Sequence, residues 1–218
     1  MRYERKWVVS TQNYNKLLKD ILNFNIGFEK SYKDRNVNSI YFDSPLFLSV
    51  KENFYGLTEK RKYRVRWYGN KNIITKPVLE IKKKNGWINQ KELIKIDNFD
   101  NCKINEPKHI INLEKFINKN LRLKKKIIPL VTTHYLRKYM VSKRFNIRIT
   151  LDRFLQSGEI INYKFVTSKI DLKNLIFEMK YENKYDNFVK NNLMHNYRLS
   201  KNSKFINSLY NSRYRKFL

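Results

Sequence analysis

Polar and apolar residues alternate with period two along much of this chain. The stretch Arg2-Tyr3-Glu4-Arg5-Lys6-Trp7-Val8-Val9 opens it that way, as a strand with one buried face does. The same pattern predicts strands over Val37–Asp43, Lys60–Tyr68, Pro77–Lys83, Trp87–Ile96, Val131–Val141, Phe145–Arg153 and Leu175–Tyr181. Spacing of three and four replaces it at Tyr14, Leu17, Leu18, Ile21 and Leu22, which predicts an amphipathic helix with Thr11 as its N-cap. A second helix is expected near His109–Leu121 and a last one from Ser200 to Tyr214. About eight strands with few helices predict a mainly β (α+β) chain, an antiparallel barrel or sandwich.

The charges follow the alternation too. Lys60, Lys62, Arg64 and Arg66 take one side of their strand, and Tyr63, Val65 and Trp67 the other. Glu80 and Lys82 oppose Leu79 and Ile81, and Glu178 shares a side with Lys180. Tyr135, Arg137 and Tyr139 alternate likewise, as do Arg148, Thr150 and Asp152. Two architectures accommodate this. One is a sheet with a wet charged face. The other is a closed barrel with the charged side turned inward and helices over the apolar side; eight strands leave room there for one small ligand. A basic interior is tolerable only with an anion to pair with.

Composition narrows the partner. Lys and Arg number 47 against 19 Asp and Glu, a formal charge of +28 on 218 residues, and such an excess points to a polyanion. The run Lys124-Lys125-Lys126 is read as a solvated face. The single cysteine, Cys102, excludes an intramolecular disulfide and a cysteine-based zinc cluster, and His109, His134 and His195 lack metal-ligand spacing. No apolar run reaches the length of a membrane-spanning helix, and the expected location is cytoplasmic. Five Gly and four Pro leave little for a long linker, so residues 1–218 are expected to form a single domain. The 15 Tyr and 14 Phe would permit stacking on nucleic acid. Aromatic and charged residues fall on opposite strand faces, however, which argues against a nucleic-acid partner.

Eight strings occur in a recognisable order: RYERKW at Arg2–Trp7, SIYFDSP at Ser39–Pro45, YRVRWYG at Tyr63–Gly69, LEIKKK at Leu79–Lys84, YLRKYMVS at Tyr135–Ser142, RITLDR at Arg148–Arg153, FEMKYE at Phe177–Glu182 and RLSKNSKF at Arg198–Phe205. In this the chain resembles the VTC domain, the polyphosphate polymerase domain of the vacuolar transporter chaperone family. That family belongs to the triphosphate tunnel metalloenzymes, alongside the CYTH phosphatases and class IV adenylate cyclases. The resemblance implies a closed eight-stranded antiparallel β-barrel, the triphosphate tunnel fold, with flanking helices and a C-terminal helix.

It also implies a chemistry. Lys6, Arg64, Arg66, Lys82, Arg137, Arg148, Lys201 and Lys204 match the basic residues that bind phosphate and catalyse, Lys91 matches a further phosphate ligand, and Glu178 matches the metal ligand for Mn²⁺ or Mg²⁺. Lys84 and Lys95 compete with Lys91 for its register, and a helix through Lys201 and Lys204 would place both on one face. Arg2 stands where the wider superfamily has the first glutamate of Glu-x-Glu-x-Lys, which fits the VTC branch better than a several-carboxylate hydrolase. The implied substrates are ATP and inorganic polyphosphate. The implied reaction moves the γ-phosphoryl of ATP onto a phosphate chain. A metal-dependent inorganic or nucleotide triphosphatase and a non-catalytic polyphosphate-binding module are the alternatives. A stand-alone catalytic domain is expected, with room for a membrane-protein partner in trans.

Overall fold

The computed structural model describes residues 2–86, 88–123, 125–193 and 197–217. The expectations that fall on Trp87, Lys124 and His195 lie outside the described residues. In chain order the elements are β1 (Arg2–Ser10), α1 (Tyr14–Asn23), β2 (Glu29–Asp43), α2 (Leu48–Phe54), β3 (Glu59–Tyr68), β4 (Ile73–Ile74), β5 (Val78–Asn85), β6 (Ile88–Lys95), β7 (Cys102–Lys103) and α3 (Pro107–Leu121). There follow β8 (Ile128–Ser142), β9 (Ile147–Ile161), β10 (Lys164–Asp171), β11 (Asn174–Glu182), α4 (Asp186–Phe188) and α5 (Lys204–Tyr210). One sheet of nine strands runs β1-β11-β9-β8-β2-β3-β5-β6, with β10 on β9, and β4 pairs with β7. No helix among the described residues is long and apolar enough to cross a membrane.

The chain divides into two compact units. In the first (residues 1–35, 135–155 and 170–203), β1 pairs antiparallel with β11, and β11 with β9. Trp7, Phe177, Met179, Ile149 and Leu151 lie on one side of these strands and pack with Leu17 and Ile21 of α1. In the second (residues 36–134, 156–169 and 204–218), β2, β3, β5 and β6 pair antiparallel in turn. There Val65, Trp67, Leu79 and Ile81 pack with Ile110, Leu113 and Ile117 of α3. In each unit the apolar side predicted from alternation is the core, and a helix covers it. A smaller cluster in the second unit joins Tyr41, Val50, Leu130 and Val131 to Phe205 and Leu209 of α5.

Several expectations are corrected. The sheet path is open rather than a closed eight-stranded barrel: among the described residues β1 is paired through β11 and β6 through β5. The reason is legible in β6, where Gln90, Lys91, Glu92, Leu93 and Lys95 are all exposed, the profile of an edge strand guarded by charge. The last helix is shorter than Ser200–Tyr214; it begins at Lys204, so Lys201 lies before it. Thr11 starts a 3₁₀ turn and does not cap α1; the Ser10 side chain accepts the Gln12 N–H, and the Thr11 hydroxyl donates to the Leu172 carbonyl at 2.6 Å. Strand β2 extends back to Glu29 through Lys30, Lys33, Asp34 and Arg35, a stretch with too few apolar residues to announce itself.

Gly158 marks a close approach in the second unit. A Cβ there would stand 2.7 Å from the Val166 carbonyl oxygen, Thr132 Oγ1 and Phe165 Cε2. Backbone on one side leaves no flexible atom to yield. Gly158→Ala is expected to cost about 1–3 kcal/mol, and a thermal melt should show Tm lower by about 2–4 °C per kcal/mol.

Candidate active site

In the second unit the charged side of the sheet is built by register. Opposite Arg64 on β3 stand Tyr41 on β2 and Glu80 on β5, while Arg66 faces Ser39. Glu80 is the hub. Arg64 Nε donates to its Oε2 at 2.7 Å and Arg64 Nη2 reaches the same oxygen, while Arg66 Nη1 and Lys91 Nζ donate to Oε1 at 3.2 and 3.1 Å. The Glu80 side chain is only 5% exposed. Burial alone would raise its pKa, but Arg64, Arg66 and Lys91 overcome that and hold it at about 2. Two of these cations also reach Tyr41: burial pushes its phenol up, yet Arg64 and Arg66, joined by Lys204, bring the net direction down.

Beyond this hub lies a row of lysines. Lys62, Lys82 and Lys91 lie directly across from one another on β3, β5 and β6, and like charges in that relation repel. The pairing resolves the register of β6: Lys91 faces Lys82 and reaches Glu80, whereas Lys95 faces Val78. Two donors are left over within the cluster. The Nε of Arg66 and the hydroxyl of Ser39, side by side in register, are buried without a hydrogen-bond partner.

The first unit repeats the logic with different residues. Lys6 on β1 faces Glu178 on β11, and Glu4 faces Lys180. The four form a ring: Lys6 Nζ lies 2.8 Å from Glu4 and 3.7 Å from Glu178, and Lys180 Nζ lies 3.0 Å from Glu4 and 3.1 Å from Glu178. Burial and the Glu4 charge both push the Glu178 carboxyl up, but Lys180, Lys6 and Arg137 outweigh them and it stays ionised. Arg137 makes a two-pronged pair with the fully buried Asp152, at 2.6 and 2.7 Å. Arg148 is exposed and stands opposite Lys180. The Ser200 N–H donates to the Lys6 carbonyl at 2.8 Å, which brings the segment bearing Lys201 alongside β1.

The sequence-predicted residues therefore gather into two groups. Lys6, Arg137, Arg148, Lys201 and Glu178 are in the first unit, and Arg64, Arg66, Lys82, Lys91 and Lys204 in the second. Lys201 and Lys204 are not brought onto one helical face. Sequence reasoning missed Glu80, Glu4 and Asp152 as parts of the site. Their signal was present: each sits on the charged side of its strand, two or four residues from a basic position. A divalent cation fits Glu178 by donor chemistry. The carboxylate is ionised and Glu4 lies across the same two lysines, giving hard oxygen donors that phosphate oxygens would complete. No group of three His, Cys, Asp or Glu gathers among the described residues, so at Glu178 a cation would draw its remaining ligands from phosphate and water.

Residues 1–212 match the family model of the VTC domain, and the chain belongs to that family. Among solved structures it is similar to a candidate adenylyl cyclase from Hippeastrum, described as having a dominant triphosphatase activity. That match has 14% identity and TM-score 0.55, covering 97% of this chain and 96% of that one. Candidate adenylate cyclases from Vibrio parahaemolyticus and Bacillus halodurans each match at 11% identity and TM-score 0.54. They cover 95% and 93% of this chain, and 97% and 95% of their own. The fold is thus shared with these three structures. No curated protein matches the chain by sequence.

Glu80 yields a pH signature. Its folded pKa lies below the ordinary 4.5, so its stabilising contribution is full above pH 4.5 and is lost as pH falls through about 2. Glu80→Gln should cost on the order of 3–5 kcal/mol at pH 7, because it leaves buried guanidinium groups uncompensated. Melting curves should show that the variant then loses less additional stability than wild type between pH 4.5 and 2.

Proposed function

We propose that the protein is a polyphosphate polymerase, transferring the γ-phosphoryl of ATP to the end of an inorganic polyphosphate chain. The observation that carries this reading is the surplus of donors around Arg66. A buried guanidinium Nε and the Ser39 hydroxyl are unused beside the lysine row of Lys62, Lys82 and Lys91. Phosphate oxygens would satisfy those donors and offset the repulsion at once.

The chemistry asks little of the protein beyond position and charge. A terminal oxygen of the chain bonds to the γ-phosphorus of ATP, the bond to the β–γ bridging oxygen breaks, and ADP leaves with that electron pair. Because the attacking oxygen is already anionic, no general base is needed. In the second unit Arg64 and Arg66 would offer planar forks to phosphate oxygens and Lys82, Lys91 and Lys204 point charges; in the first, Arg137 would offer a fork and Lys6 and Lys201 point charges, with Arg148 a further cation. Glu80 and Asp152 would hold Arg64, Arg66 and Arg137 in fixed orientation, so that little reorganisation accompanies transfer. Mn²⁺ or Mg²⁺ bound at Glu178 would neutralise charge on the transferring group.

A second reading is a metal-dependent triphosphatase, favoured by the activity described for the Hippeastrum protein. Here water replaces the chain end as acceptor. Incubation of the purified protein with ATP and Mn²⁺, with products resolved on a gel, separates the two. Long acid-labile chains and ADP are the outcome for a polymerase, and free phosphate without chains is the outcome for the hydrolase.

Two substitutions test the roles. Glu178→Gln is expected to lower turnover by about 10²-fold or more while leaving polyphosphate binding, measured by thermal shift, near wild type. Full turnover at saturating Mn²⁺ would take Glu178 out of the site. Arg66→Lys should impair kcat nearly as much as Arg66→Ala, because a point charge cannot replace two directed donors. Full activity in the lysine variant would show that charge alone matters there.

A further inference from the structure

One end of the second unit exposes apolar side chains that no element covers. Helix α2 turns Ser49 and Val50 inward and leaves Leu48, Lys51 and Tyr55 along its outer side at helical spacing. Leu46, Phe54 and Leu57 are exposed beside them, with Tyr55 70% and Phe54 54% accessible. The Gly86 N–H donates to the Thr58 carbonyl at 3.2 Å. That bond brings the β5–β6 turn next to the α2–β3 turn and adds the exposed Ile88. Six large apolar residues thus meet at one strand end, in a chain carrying a formal charge of +28. Isolated exposed apolar residues are ordinary, but a grouped set is a contact surface.

The rim indicates the occupant. Lys51 is exposed on α2, and register sets Lys60 across from Lys84 and Arg61 across from Lys83 at the same strand end; Arg61 lies 3.9 Å from Glu59 and Lys83 3.4 Å from Glu92, and Glu52 and Glu59 are the acidic residues among positions 46–61. Glu52 is engaged inward, accepting the Arg61 backbone N–H at 2.8 Å. Aromatic and leucine side chains ringed by lysine and arginine suit the boundary of an anionic bilayer. There the rings enter the headgroup layer, and each nearby cation contributes about 1 kcal/mol. An apolar protein surface would not require the basic rim, and a soluble polyanion would not require the exposed aromatics.

We propose that this end of the second unit, centred on Phe54, Tyr55 and Leu57, docks the protein directly on an anionic lipid surface. The inference stands apart from the phosphoryl-transfer reading, since none of these side chains belongs to the charged cluster around Glu80.

Co-sedimentation with vesicles in 0.15 M salt tests it, using phosphatidylcholine alone and phosphatidylcholine with phosphatidylserine. Wild type should sediment with the mixed vesicles and weakly with the neutral ones. Phe54→Ser combined with Tyr55→Ser should lower the partition coefficient by at least about tenfold. That variant should keep the cooperative melting transition of wild type with Tm within about 3 °C, which shows it folded. Equal sedimentation of variant and wild type would overturn the proposal, because plain attraction by net charge would then account for the binding. Absence of wild type from the mixed-vesicle pellet would overturn it as well, and would assign the patch to a protein partner.

Discussion

Burying a guanidinium or an ammonium without a counter-charge costs more than a small fold can bear, and that constraint organises this protein. Glu80 lies under Arg64, Arg66 and Lys91; Asp152 under Arg137; Glu4 and Glu178 between Lys6 and Lys180. Each carboxylate makes a basic side chain tolerable away from water, and each holds that side chain in one orientation. The aromatic and aliphatic sides of the same strands can then close onto α1 and α3 without competing for the charges.

Basic groups nonetheless outnumber acidic ones in this cluster, and the proposed function rests on that ratio. Arg64, Arg66 and Lys91 share one buried carboxylate, Lys62 and Lys82 stand in the same row as Lys91, and Lys204 reaches Tyr41 beside it. A protein evolved for stability alone would have no use for such an excess, since replacing buried ion pairs with apolar side chains is often neutral or favourable. On the proposed reading an anionic ligand would supply what Glu80 cannot, and the arrangement would be preorganised for phosphate, with its fixed charges in place before the ligand arrives.

What can be read from the chain alone is the strand-by-strand segregation of charge from apolar bulk. Tyr63, Val65 and Trp67 against Lys62, Arg64 and Arg66 is enough to specify both faces of β3, because side chains of a strand alternate by geometry. The helices α1 and α3 follow from three-and-four spacing in the same local way. The VTC strings likewise belong to the sequence. Seven of the eight mark a strand or strand end whose side-chain order the backbone preserves, and RLSKNSKF marks the loop that leads into α5.

Only the tertiary structure decided which charges meet. Glu80 was visible as a residue on the same side as Lys82, but its role depends on β3 and β6 flanking β5 in one register, a pairing that no local pattern encodes. Asp152 and Arg137 are fifteen residues apart on two strands, and their bond exists because β8 and β9 are neighbours in the sheet. The first half of β2 and the start of α5 were equally hidden. Strand formation at Glu29–Arg35 comes from pairing rather than from hydrophobic alternation, and the loop that carries Lys201 is held by the Ser200 bond to β1. Periodicity fixes which way a side chain faces, whereas cross-strand register, a long-range property, fixes what it faces.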